Sequence, residues 1–245
     1  MQTCTIIIPC FNEEDRLNLG LMDEFLLARQ HYSLVLVNDG SSDHTSRLLH
    51  EFQKRHPEKV ATLDLESNLG KGNAIRQGVL FALDQLKPDN VGYMDADFST
   101  PFSEIEKLFT CLDQHKNFTV VFGSRVKRMG CRIKRSAIRH YPGRIFATFV
   151  SLLLKLPVYD SQCGAKAMKV AIAKELFKDE FITSWLFDVE LLFRYMKIYG
   201  EERTLSEVYE FPLFEWKETR GSKIRFFHLP VIPFELIRIY IYYSH

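Results

Sequence analysis

No stretch of this 245-residue chain reaches the roughly 18 uninterrupted apolar residues that a membrane-spanning helix requires, so none is expected. Nor is there room for a leader: Met1-Gln2-Thr3-Cys4-Thr5 runs straight into Ile6-Ile7-Ile8, and the expectation is a chain that starts in the cytoplasm. The five cysteines (Cys4, Cys10, Cys111, Cys131, Cys163) are odd in number and lack any Cys-x-x-Cys, which argues against a disulfide framework or structural zinc and for reduced, mostly buried thiols. Internal repeats, linkers and low-complexity segments are absent, and one domain is the economical reading. A Walker motif is missing too, because Gly70-Lys71-Gly72 lacks its spacing. Acidic residues are missing from one tract. Arg125 to Arg144 holds eight basic side chains and no acid, so with a formal total of +1 the other 225 positions carry −7 by difference.

What is present is ample for a folded core: 46% of residues are hydrophobic, which excludes disorder. Thr3 to Pro9, Ser33 to Asn38, Val60 to Leu65 and Val91 to Met94 are apolar runs of strand length. Between them, Arg16 to Gln30, Asp43 to Arg55 and Gly72 to Leu86 repeat apolar residues at helical spacing. Ser41-Ser42-Asp43 precedes the second of these helices, and Ser99-Thr100-Pro101 announces another, with Glu104 and Glu106 near its start. Alternation of this kind predicts an α/β fold with a parallel, doubly wound sheet, in which ligands bind beyond the carboxyl ends of the strands. The pattern continues with strands at Phe118 to Phe122, Ala165 to Met168 and Glu207 to Phe211, and helices at Arg144 to Leu156 and Trp185 to Tyr199.

The polar residues cluster where such a fold needs them. Asn12-Glu13-Glu14, Asn38-Asp39-Gly40, Asn68 and Asp95-Ala96-Asp97 each follow a strand. Paired carboxylates are hard oxygen ligands suited to Mg²⁺ or Mn²⁺, although a solvated turn before the Ser-Thr-Pro cap would look the same. Gly70 and Gly72 would let a diphosphate approach the backbone and Lys71 would neutralise it, with a simple helix-start turn as the alternative. The basic tract carries Tyr141 as its single aromatic side chain besides His140, which argues against a nucleic-acid patch. Arginine grips phosphate oxygens bidentately, so Arg125 and Arg139, then Arg135, are candidates for an anionic acceptor, against the alternative of a solvated basic face.

Pro9-Cys10-Phe11-Asn12-Glu13-Glu14, Val37-Asn38-Asp39-Gly40-Ser41-Ser42-Asp43, Asn68-Leu69-Gly70-Lys71-Gly72-Asn73-Ala74 and Asp95-Ala96-Asp97, in that order, resemble a family 2 glycosyltransferase with the nucleotide-sugar-binding A-type fold. Gly123-Ser124-Arg125, Asp160-Ser161-Gln162-Cys163-Gly164-Ala165-Lys166, Trp185 to Leu192, Trp216-Lys217-Glu218 and Gly221-Ser222-Lys223-Ile224 are similar to its polyprenyl-phosphate branch, particularly the dolichyl-phosphate β-glucosyltransferases and their bacterial relatives. The resemblance implies an inverting, metal-dependent hexosyltransferase of cell-envelope glycan synthesis, with residues 1–225 as catalytic domain. It implies a donor of the UDP-glucose kind rather than a GDP-sugar, a polyprenyl-phosphate acceptor and Mg²⁺ or Mn²⁺ as cofactor. Asp39 would accept from the base, the backbone of Pro9 and Phe11 would complete that pocket, and Glu13 would meet the ribose. For Asp39 and Glu13 turn chemistry is the alternative. Asp95 would lie against the nucleotide and Asp97 on the metal, with Ser99 departing from the Gln common in mannosyltransferase relatives. Gln162 would contact the sugar and Lys223 the diphosphate. Asp188 stands where relatives with hydroxyl acceptors keep a base; here it would position a sugar hydroxyl, or merely start a helix.

The 226–245 tail is aromatic and aliphatic, interrupted by Pro230 and Pro233. Its tyrosines favour a headgroup layer, so the expectation is a segment lying on the cytoplasmic face of a membrane, with packing on its own domain or a second subunit as the competitor. A homo-oligomer or a membrane-protein partner is compatible with either. Two other readings stand beside the leading one. A soluble family member extending a saccharide would need Asp188 as base, and a nucleotide-binding module without turnover would not need Asp39, Asp95, Asp97 and Asp188 together.

Overall fold

All four of the first strand-length runs become neighbours in one sheet. The computed structural model describes residues 2–134, 137–219 and 232–244. In it β1 (Cys4–Cys10), β2 (Tyr32–Asn38), β3 (Val60–Asp64) and β4 (Asn90–Tyr93) are parallel, with β1 between β2 and β4. Side chains alternate across the sheet, and both faces are covered. Ile7, Val35 and Val37 join one core with α3 (Lys71–Phe81), while Ile6, Ile8, Leu34 and Leu36 join another with α1 (Leu19–Ala28), α2 (Thr45–Arg55) and α4 (Phe102–Gln114). Burial on both faces is why β1 and β2 read as continuous aliphatic runs.

Three further strands, β5 (Val120–Ser124), β7 (Lys166–Lys169) and β8 (Val208–Pro212), extend the sheet to the order β3-β2-β1-β4-β7-β5-β8. Of the seven, β7 alone runs antiparallel to its neighbours. A separate parallel pair joins β6 (Arg132–Lys134) to β9 (Glu215–Lys217). The helices α5 (Ala137–Leu154), α6 (Val170–Leu176), α7 (Phe187–Glu207) and α8 (Ile232–Ser244) complete a mostly parallel sheet flanked by helices, as expected.

Several boundaries differ from the sequence reading for local reasons. The first helix begins at Leu19 rather than Arg16 because the Asn18 side chain caps it, accepting from the Leu21 amide at 3.2 Å. Pro101 is itself the residue before α4, and Ser99 does not cap that helix but donates its amide to Asp97 Oδ1 at 2.9 Å. The third helix continues past Phe81 as a π-helical turn over Ala82–Leu86. α7 outruns its expected end because the chain kinks at Gly200 (φ 81°) and resumes.

The tail follows the competing reading on its inner face. Leu236 and Ile239 of α8 are buried in the core shared with α7. Phe234, Ile237 and Ile241 on α8 face outward, as do Ile145, Phe149 and Leu152 on α5. The expected domain limit at 225/226 lies outside the described residues. Among the described residues no helix is long and apolar enough to cross a membrane.

Candidate active site

Parallel strands deliver the residues that follow them to one edge of the sheet, and β7, running the other way, delivers to that edge the residues that precede it. Asp95 therefore meets the Asp160–Gly164 turn. A Cβ on Gly164 would fall inside the Asp95 carboxylate, so only glycine permits this approach. On its other side Asp95 Oδ1 is paired with Lys71 Nζ at 2.6 Å. Burial works against the Lys71 charge, but Asp95, Asp188 and Asp97 outweigh it and raise its pKa above the usual value. Phe98, next after Asp97, holds a left-handed φ of 50°, an uncommon conformation for a bulky residue that turns the chain sharply beside the carboxylates.

Asp97 is held from two sides, accepting the Ser99 amide on Oδ1 and the Thr219 hydroxyl on Oδ2 at 2.6 Å. For a divalent cation these are fitting donors, hard oxygens at a strand end, and Mg²⁺ completed by waters and phosphates needs only one or two protein carboxylates. Asp95 and Asp97 are the carboxylates that could hold it, Asp95 with Oδ1 on Lys71 and Asp97 with an oxygen on each of Ser99 and Thr219. Among the described residues no group of three or more His, Cys, Asp or Glu is arranged as a metal cluster.

The loops after β1 and β2 are knitted together. Asn12 donates its amide to Ser41 Oγ at 3.0 Å and accepts from the Ser42 amide at 2.8 Å, and the Glu13 amide donates to Thr45 Oγ1. Buried Glu13 forms an ion pair with Arg16. Pro9 lies within β1, in register with Val37, and Phe11 follows the strand end. Asp39, also buried, accepts the amides of Leu69 (2.7 Å) and Gly70 (3.1 Å). It thereby fixes the turn into α3, on the same edge as Lys71, rather than the Asn38–Ser42 turn in which it sits. Gly70 adopts φ 82°, which glycine alone tolerates easily, and no side chain caps α3 there.

Asp188 is 2% exposed, and its Oδ1 accepts from Lys166 Nζ at 2.6 Å and from the Tyr93 hydroxyl at 2.5 Å. Lys166 also donates to the carbonyls of Ser161 and Cys163, tying Asp188 to the turn beside Asp95. Burial first, and then Asp188, push the Tyr93 phenol well above its ordinary pKa. Sequence reasoning noted the Gly164-Ala165-Lys166 run without seeing this contact; a lysine inside an apolar strand was the available signal. It likewise passed over Tyr93 and Thr219, whose partners lie 95 and 122 residues away in the chain.

Arg125 departs from its expected placement. Its fork closes on Asp160, Nε to Oδ2 and Nη2 to Oδ1 at 2.6 Å each, with a further bond to the Gln162 carbonyl, because the β5 end and the turn before β7 meet there. Asp160 outweighs the burial that opposes this charge, and the guanidinium pKa is raised. Arg125 is thus a brace for the turn, not an open phosphate fork. The Gln162 Nε2 atom is buried without a hydrogen-bond partner, as is Ser161 Oγ. Lys127, Arg128, Arg132 and Lys134 are exposed. Arg139 falls within α5, but its side chain, together with Arg135 and Lys223, lies outside the described residues.

The family model described as Glycosyl transferase family 2 matches residues 5–177. A dolichyl-phosphate beta-glucosyltransferase of Drosophila melanogaster is 32% identical over 239 residues, covering 90% of this chain and 68% of that protein. One from Trichomonas vaginalis is 28% identical, covering 98% and 71%. Among solved structures, glucosyl-3-phosphoglycerate synthase from Mycobacterium tuberculosis, in complex with Mn²⁺, UDP and glucosyl-3-phosphoglycerate, superposes with a TM-score of 0.71 at 16% identity, covering 99% of this chain and 80% of that one. The same enzyme has been solved with Mg²⁺ and UDP. At that identity the likeness speaks for the fold.

Proposed function

This chain belongs to glycosyl transferase family 2, and from that premise we propose that it transfers glucose from UDP-glucose to a polyprenyl phosphate with inversion at the anomeric carbon. The observation that carries the reading is the Lys71–Asp95 pair beside Asp97 at the carboxyl edge of a parallel sheet. That edge offers an ammonium for a diphosphate and a hard carboxylate for a cation. The relatives named above act on dolichyl phosphate by name, and the solved fold neighbour binds UDP with Mn²⁺ or Mg²⁺, which supports the choice of donor and cofactor.

Roles follow from the chemistry. A Mg²⁺ or Mn²⁺ ion bound at Asp97 would offset charge on the departing diphosphate. Lys71 adds a positive charge to the same leaving group. Asp39 and Glu13, with the backbone at Pro9 and Phe11, serve the nucleoside, and the partnerless Gln162 amide serves the hexose. The acceptor phosphate monoester is largely dianionic above its second pKa near 6 and attacks without a protein base. Asp188, buried and tied to Lys166 and Tyr93, suits a positioning role better than proton abstraction, which weighs against the saccharide-extending reading. The acceptor charge falls to Arg139 and Arg135 with the exposed bases of the tract, while Arg125 holds the turn beside Asp95. The outward apolar residues of α5 and α8, together with a basic tract that runs into α5, suit peripheral attachment to the cytoplasmic face of a membrane.

Incubation with UDP- and GDP-sugars, Mg²⁺ or Mn²⁺ and a short polyprenyl phosphate tests the reading. A chelator-sensitive β-linked glycolipid is expected from UDP-glucose, and none from any donor would sink it. Asp97→Ala is expected to lower turnover by about 100-fold or more, the scale set by losing an electrostatic contact to the leaving group. Arg139→Ala is expected to raise KM for the lipid alone; if it instead abolishes donor hydrolysis, the acceptor assignment is wrong.

A further inference from the structure

The inner face of α8 leads by polar contacts to the edge that carries Lys71. On α7, Glu190 and Arg194 are buried one turn apart and paired at 2.9 Å. Tyr243, in the last turn of α8, donates its hydroxyl to Glu190 Oε1 at 2.7 Å and accepts from Arg194 Nε at 2.8 Å, its ring stacked on Phe193. The same two α7 side chains suspend the segment between α6 and α7. Arg194 donates to the carbonyls of Leu176 (2.8 Å), Asp179 (2.7 Å) and Glu180, while Glu190 accepts the Ile182 amide at 3.1 Å and the Thr183 hydroxyl.

That segment lies along the start of α3. The Phe181 amide donates to Asn73 Oδ1 at 2.9 Å, and Arg76 donates to the Lys178 carbonyl at 2.7 Å. Ser184 stands so close to Gly70 that a Cβ there would be 2.8 Å from its Oγ, and one on Gly72 would be 2.7 Å from the Phe187 Cβ. Lys71, between these glycines, is 5.5 Å above the Phe187 ring and 2.6 Å from Asp95. The turn has no side-chain cap of its own. Besides Asn68 Oδ1, which accepts the Gly70 amide at 3.0 Å, its position is set from outside, by Asp39 on one side and by Ser184 and Phe187 on the other.

We propose that Tyr243 is a positioning residue for the transfer: by locking Glu190 and Arg194 it fixes the 176–184 segment, which seats the Gly70–Gly72 turn and aims Lys71 at the donor diphosphate. The proposal rests on the donor site assigned under the proposed function. It makes the aromatic tail a support for the donor site, distinct from anything its outer face does. Loss of the phenolic hydroxyl leaves the buried carboxylate and the guanidinium each short of one bond. Both then reorient, and the carbonyls and amides that they hold move with them.

Tyr243→Phe in the full chain keeps the ring and removes the hydroxyl, so the fold survives where Glu190→Gln or removal of α8 could abolish it. Hydrogen exchange of the 178–186 amides is expected to quicken roughly tenfold in the variant, and KM for UDP-glucose to rise about five- to tenfold. kcat at saturating donor and KM for the polyprenyl phosphate should stay within about twofold. Tyr242→Phe, at an exposed neighbour, should change nothing. Unchanged exchange in Tyr243→Phe overturns the proposal, and so does quickened exchange with unchanged donor KM. A wild-type chain that binds neither UDP nor GDP overturns the functional reading instead, and the exchange comparison still decides whether Tyr243 holds the segment.

Discussion

Lys166 is 2% exposed in the middle of a sheet, and its charge is answered within one bond by Asp188. Breaking a buried pair from one side strands the other charge, at a typical cost of about 3–5 kcal/mol. Lys166→Met is therefore expected to lower the unfolding free energy by that amount, read from a lower denaturant midpoint, and to abolish transfer, whereas an unchanged midpoint would mean that Asp188 finds another donor. Gly164→Ala acts more locally. Its methyl would occupy the space of the Asp95 carboxylate, drive it off Lys71 and raise KM for the sugar nucleotide by roughly tenfold or more, with little change in melting temperature. A variant with wild-type donor KM would show that Asp95 can be displaced without consequence. At this scale the carboxylates were legible because they follow apolar runs directly. Lys166 with Asp188, and Arg125 with Asp160, were not, because 22 and 35 residues separate partners whose contact depends on the direction of β7.

Elements with strong periodicity were read nearly to the residue, β1, β2, α2 and α3 among them, since two-sided burial writes itself into sequence as unbroken aliphatic runs or a helical stripe. The three-residue strands β6 and β9 carry too little pattern to be seen and exist by pairing with each other. For the tail, the packing alternative describes the inner face of α8. Aromatic composition announces that a segment must be covered, but not by what, and α8 divides the answer between α7 on one side and an open face on the other. That open face and the one on α5 can be tested. Phe149 is 58% exposed, so Phe149→Glu should leave the melting temperature nearly unchanged. The same change should weaken cosedimentation with lipid vesicles by about tenfold, the scale of one buried aromatic ring. Undiminished cosedimentation would remove α5 from the membrane-facing surface.

For the whole molecule the near-zero formal charge conceals a division, −7 over most of the chain against eight bases in one tract. Each base near an anionic bilayer contributes about 1 kcal/mol at low salt, and the attraction is screened beyond about 8 Å at physiological ionic strength. Attachment to anionic vesicles should therefore fall steeply as salt rises, while any attachment to neutral vesicles, carried by the apolar faces, should not. Equal salt dependence on both would contradict the assignment. The placement of β7 has a different consequence, felt during synthesis. By Tyr93 the nascent chain holds four strands that can pair with one another, but among the described residues β5 pairs with β7 and β8, both later in the chain. Strands β1 to β4 can thus pair as they emerge, while the β4 edge stays open until residues 166–169 insert between it and β5. An unprotected strand edge invites pairing with other chains. The interval between residues 93 and 166 is where a chaperone has most to shield.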